Sequence, residues 1–171
     1  MDPFATLGIG RSFAVDLAAV EKTHRELSRA LHPDRYAGAT TSERQAALAK
    51  AIEVNDAFRI VRDPIRRADA LLALSGVTAG GEESRTGVAQ EFLVDMLGQR
   101  EALSDAKHAR DLAAVRELAS AVDARFAAVE RVLREGFERG EAASLAGKVD
   151  ELRFYRRFLE EVSAIEDELA A

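Results

Sequence analysis

His32 and Asp34 flank a proline, and an imidazole beside a carboxylate is a pairing that general acid–base chemistry uses. No second carboxylate, nucleophile or phosphate-cradling glycine loop accompanies them, so no catalytic residue is assigned. Cysteine is absent, which excludes thiol catalysis, disulfides and thiolate metal sites. The three histidines, His24, His32 and His108, are too scattered for a metal site, and no metal or cofactor is expected. What remains is charge presented at a surface. Lys22, Arg25 and Arg29 recur at spacings of three and four, the spacing of one helix side, and Arg35 follows just beyond.

The element that positions these groups is an amphipathic helix. Leu17, Val20, Leu27 and Leu31 fall at steps of three, seven and four, with His24 in the same row, and predict a buried side opposite the cations. Asp16 precedes the first apolar position and can take the free amides of the first turn. Pro33 biases His32 away from helical angles, so the helix ends at about Leu31. His32, Pro33 and Asp34 are thus expected at an exposed helix end beside positive charge.

A short apolar start, residues 4–9, predicts one helical turn, and a loop follows Pro33. Ser42 and Glu43 are expected to open a second long helix whose buried row is Leu48, Ala51, Ile52, Asn55, Phe58 and Val61, antiparallel to the first. Asp63-Pro64 starts another, apolar helix that closes at Gly76. Residues 76–88, rich in glycine and polar groups, read as a linker. Three further helical patterns follow: Gln90 to about Ala106, about Arg110 to Phe137, and about Glu141 to Leu169. Their short connections imply an antiparallel bundle. No strand pattern occurs, so the fold class is all-α.

Phe92, Met96 and Leu103 suffice to face the two long bundle helices. Leu93, Val94 and Leu97 widen the apolar arc beyond that need, and Glu101 and Asp105 continue the line of Leu93 and Leu97. An apolar strip with an acidic edge has the form of a partner-binding surface.

The composition, 47% hydrophobic and 32% charged, is that of a soluble globular chain. No apolar run approaches the ~20 residues of a membrane span, and the start shows no cleavage pattern, so a cytoplasmic location and no membrane partner are expected. Residues 1–76 carry a net charge of +1 and residues 77–171 one of −7, together the −6 of the chain. The acidic second half argues against nucleic acid, whose binding rests on neutralising phosphates. The oligomeric state is left open.

Four segments occur in an order and spacing that resemble a J-domain, the module that docks on DnaK-type chaperones and stimulates their ATP hydrolysis. They are residues 2–9 (DPFATLGI), the helix running into His32-Pro33-Asp34, residues 54–58 (VNDAF) and residues 62–68 (RDPIRRA). The continuation RADALLALSG at 67–76, EFLVDML at 91–97, QREAL at 99–103 and LRFY at 152–155 is similar to the HscB family, the J-proteins of iron–sulfur cluster assembly. The resemblance implies a J-domain at 1–75, a linker at 76–88 and a three-helix client-binding domain at 89–171. It also implies two partners, the scaffold protein IscU and the DnaK-type chaperone HscA. Chaperone contact and ATPase stimulation would fall on His32, Pro33, Asp34, Lys22, Arg25, Arg29 and Arg35. Scaffold contact would fall on Leu93, Val94, Leu97, Glu101, Asp105 and Phe154. Val94 stands where a larger apolar residue is common in the family, and Gly98 where an acidic one is. The alternatives are a J-protein that delivers a different client or serves a general DnaK.

Overall fold

The computed structural model describes residues 1–77 and 88–170. Every regular element among them is helical: α1 (Pro3–Thr6), α2 (Leu17–Ala30), α3 (Thr41–Arg62), α4 (Pro64–Leu74), α5 (Gln90–His108), α6 (Leu112–Glu138) and α7 (Ala146–Ala170), with short 3-10 turns at Pro33–Tyr36 and Ala142–Ser144. The chain divides into two compact units, Met1–Gly76 and Val77–Ala171. The expected linker, 76–88, falls mostly on residues 78–87, which lie outside the described residues.

The first unit is a hairpin of α2 and α3 with α1 and α4 packed on α3. Asp2 caps α1 through the amides of Phe4 and Ala5, which seats Phe4 and Leu7 in the core. Asp16 caps α2 as its position in the sequence implies, accepting from the amides of Ala18 at 3.0 Å and Ala19 at 3.2 Å. Val20 is buried and His24, Leu27 and Leu31 are half-buried, but Leu17 is exposed, because α2 begins there, beyond the cover that α3 gives.

In α3 the expected buried row is corrected in part: Val61 is buried as expected, and Ala51 and Phe58 are half-buried. Leu48 and Ile52 are 58% and 54% exposed and Asn55 is exposed, while Ala47, Val54, Ala57 and Val61 form the core row. Three elements, α1, α2 and α4, press on α3 at once, and the small side chains Ala47 and Ala57 let them come close. The helix also starts earlier than expected. Thr40, not Ser42, is its cap, and Thr40 and Glu43 form a reciprocal capping box. Asp63 caps α4 through the amides of Ile65 and Arg66, with Pro64 in the first turn. Gly76, at φ 76°, ends it in the left-handed conformation that suits glycine.

The second unit is the three-helix bundle. Arg100 pairs with Glu161 and Lys107 with Glu168, the same offset twice, so α5 and α7 run parallel. Arg116 near the start of α6 pairs with Glu166 near the end of α7, so α6 runs against both. The core is Met96 and Leu103 from α5, Val115, Val122, Val129 and Leu133 from α6, and Val149, Leu152, Tyr155, Phe158, Val162 and Ile165 from α7. Gly136 is required where α6 meets the turn into α7: a Cβ there would stand 2.7 Å from a Leu145 methyl. The third helix begins at Ala146 rather than Glu141, because the 3-10 turn intervenes.

Candidate functional site

The first candidate site is the corner after α2. His32 takes an extended conformation, φ −63° and ψ 135°, ahead of Pro33, which opens the 3-10 turn Pro33–Tyr36. The Asp34 amide donates to His32 Nδ1 at 3.3 Å, so the neutral imidazole carries its proton on Nε2. The same Nδ1 lies 3.4 Å from the Asp34 carboxylate. Both side chains stand in water, His32 59% and Asp34 89% exposed. Lys22, Arg25, Arg29 and Arg35 are all exposed. Arg25 lies 3.8 Å from Glu21, an exposed pair that holds it weakly. Among the described residues Lys22, Arg29 and Arg35 make no ion pair, so their charge is available to a partner.

What fixes this row is a contact behind it. His24 Nε2 and Asn55 Oδ1 are 2.9 Å apart across α2 and α3, Ser28 Oγ lies 3.4 Å from the same nitrogen, and the His24 ring stacks on Phe58 at 4.1 Å and 12°. Sequence reasoning placed His24 and Asn55 in apolar rows on separate helices without pairing them. Two polar interruptions facing one another across a hairpin were the available signal. Arg67, quoted in the sequence only as part of a motif, is buried. Its Nη1 donates to the Val61 carbonyl at 2.8 Å, and its guanidinium lies 4.7 Å from the Phe13 ring centroid.

The second candidate site is on α5 and α7 of the bundle. Along α5, Val94, Leu97, Gly98, Glu101 and Asp105 lie on one helix side, opposite Met96 and Leu103. Val94 is 64% and Leu97 60% exposed, Glu101 and Asp105 are exposed, and Leu93 is half-buried toward α7. Phe154 of α7 is half-buried, and its ring meets that of Phe92 on α5 edge to face. A side chain at Gly98 would meet nothing within 4 Å, so the strip has a gap in its middle. Salt links hold α5 in place on both flanks: Arg125 to Asp95 from α6, and the Arg100–Glu161 and Lys107–Glu168 pairs to α7.

Beside the strip, α7 buries charge that the sequence gave no reason to place inside. Asp150, Glu151 and Arg153 are 2%, 9% and 8% exposed. Asp150 pairs with Arg153, and Lys148 with Glu151 at 2.6 Å, both three residues apart and interleaved on one helix. Burial first, and then the negative charge of Glu151, pushes the Tyr155 phenol above its ordinary range. That interleaved pattern of opposite charges was visible, but nothing in it separates a buried pair from a solvated one. Among the described residues no group of three or more His, Asp or Glu is placed to hold a metal ion, and no helix is long and apolar enough to cross a membrane.

The chain was compared with known proteins. Residues 88–163 match a family model described as the HSCB C-terminal oligomerisation domain. A co-chaperone protein HscB homolog of Colwellia psychrerythraea is 31% identical over 99% of this chain and 98% of its own length. One from Bordetella avium is 35% identical over 96% and 97%. Among solved structures, chaperone HscB from Vibrio cholerae superposes with a TM-score of 0.88 at 28% identity, covering 99% of each chain. Human co-chaperone protein HscB has the same fold, with a TM-score of 0.89 at 23% identity over 97% of this chain and 82% of that one.

Proposed function

The chain belongs to the HscB family of co-chaperones, and on that footing we propose that it binds an IscU-type iron–sulfur scaffold protein and stimulates ATP hydrolysis by the DnaK-type chaperone HscA. It acts on a partner's ATPase and catalyses nothing itself. Residues 1–75 serve as the J-domain, 76–88 as a linker and 89–171 as the client-binding domain, in the cytoplasm.

The observation that carries this reading is the exposed corner, with Asp34 89% in water near Lys22, Arg29 and Arg35, which make no ion pair among the described residues. Lys22, Arg25, Arg29 and Arg35 attract an acidic face of the chaperone, a contribution to association that salt weakens. His32, Pro33 and Asp34 then meet the chaperone at the helix end and trigger hydrolysis. In the bundle, Leu93, Val94, Leu97 and Phe154 supply an apolar centre for the scaffold, with Glu101 and Asp105 at its edge. Two binding events on one chain raise the local concentration of each partner for the other.

The test separates the two sites. Asp34→Asn is expected to abolish ATPase stimulation and leave scaffold binding unchanged, while Leu97→Ala or Phe154→Ala does the converse. Equal loss of both activities from either change would contradict the division. A second occupant of the strip is favoured by the description of the matching family model, which names oligomerisation: another copy of this chain. Sedimentation of the wild type and Leu97→Ala decides, since a strip that joins copies gives an oligomer that Leu97→Ala dissociates.

A further inference from the structure

Phe154 is the one member of the apolar strip that comes from α7, and its ring is touched from two directions. From α5, Phe92 meets it edge to face, with centroids 5.7 Å apart and planes at 75°. From one turn further along α7, the Arg157 guanidinium lies 5.9 Å from its centroid. Phe92 also meets Tyr155 edge to face, at 5.4 Å and 69°. Phe92 itself lies on the opposite side of α5 from Val94, half-buried, so it is not part of the outward strip.

We propose that Phe92 is a positioning residue for the scaffold-binding strip, acting through Phe154: it wedges between α5 and α7 and holds the Phe154 ring beside Leu93 and Leu97. The proposal rests on the reading of that strip as the scaffold's docking surface. A half-exposed phenylalanine has several staggered side-chain positions open to it. One of them is the position that meets the Phe92 ring. The edge-to-face contact with Phe92, together with the Arg157 guanidinium 5.9 Å from the same ring centroid, weights the population toward that position. A partner that binds the held ring loses affinity by the fraction of time the ring spends elsewhere. An edge-to-face pair shifts such a population by roughly two- to tenfold, and that is the effect to be read.

Calorimetric titration of the full chain with purified IscU-type scaffold protein tests the proposal, using Phe92→Leu, Phe154→Ala and the double variant. Phe92→Leu keeps the apolar bulk and removes the ring edge. It is expected to weaken binding by roughly two- to tenfold in the wild-type background and by nothing further in the Phe154→Ala background. Phe92→Tyr, which keeps the ring edge, is expected to bind as the wild type does. An equal loss from Phe92→Leu in both backgrounds would make the residue a general support of α5 and overturn the proposal. So would no loss at all, or a loss from Phe92→Tyr as large as that from Phe92→Leu. Leu97→Ala, measured alongside, tells the two levels apart. If Leu97→Ala and Phe154→Ala weaken binding while Phe92→Leu shows no coupling to Phe154, the positioning role alone falls. If neither weakens binding, the strip is not the scaffold's surface, and the role of Phe92 falls with it.

Discussion

A carboxylate in water and a carboxylate in the core carry opposite consequences, and this chain has both. Asp34 is 89% exposed, so nothing in the fold depends on its charge, and its replacement by asparagine is expected to leave the unfolding curve unmoved. Asp150, 2% exposed, pairs with Arg153, 8% exposed. Removing Arg153 takes a charged hydrogen-bond partner from a buried carboxylate, so Arg153→Ala is expected to cost about 1.5–3 kcal/mol in urea unfolding. A loss no larger than that of an exposed substitution would show the pair to be solvated. The chemistry-bearing residues at the corner were legible because proline dictates the backbone of its neighbours: His32 had to leave the helix. The Asp150–Arg153 pair was not legible, since an aspartate and an arginine three apart also describe an ordinary solvated helix side. Deciding between the two needs the packing of the whole bundle.

At the scale of elements, caps and glycines marked the helix ends well, and apolar rows marked the buried sides less well. Asp16 and Asp63 cap the helices that their positions in the sequence implied. In α3 the row expected from the sequence followed the larger apolar residues. Leu48 and Ile52 are the larger apolar residues, but a helix enclosed by three others is sorted by closeness of approach, which favours Ala47 and Ala57. Leu48→Ala is therefore expected to change stability by less than about 0.5 kcal/mol. Leu72→Ala, at a site with no exposed surface, is expected to cost about 2–5 kcal/mol. Comparable losses from both would restore the larger residues to the core.

The capping box at the start of α3 gives this element a pH dependence of known sign. The Thr40 hydroxyl and then the Thr40 amide, each 2.8 Å from the Glu43 carboxylate, hold its pKa below the ordinary glutamate range. A carboxyl whose folded pKa is depressed stabilises the fold above its unfolded pKa, and that stabilisation is lost as pH falls through the folded value. Hydrogen-exchange protection at residues 41–44, taken relative to the intrinsic rate at each pH, is expected to fall on acidification below that range in the wild type, and to do so less in Glu43→Gln. An identical response in both proteins would remove the cap from the account.

The two units of the molecule differ in charge, +1 for residues 1–76 and −7 for the rest. The all-α class, the hairpin and the three bundle helices were legible from periodicity alone, because amphipathic stripes must find cover within short connections. The ring contacts of Phe92 with Phe154 and Tyr155 were not, since they join residues some sixty apart that no local pattern connects. The charge of the first unit lies in an exposed row, so chaperone stimulation is expected to weaken as ionic strength rises past the point where the Debye length is about 10 Å. The central claim is that one chain couples a scaffold to a chaperone's ATPase. It is tested most directly by steady-state ATP turnover of HscA and of a general DnaK, each with and without IscU and this protein. The account predicts that this protein and IscU together accelerate HscA by more than the product of their separate effects, and that DnaK shows no such synergy. Multiplicative independence of the two on HscA, or equal synergy with DnaK, would contradict it.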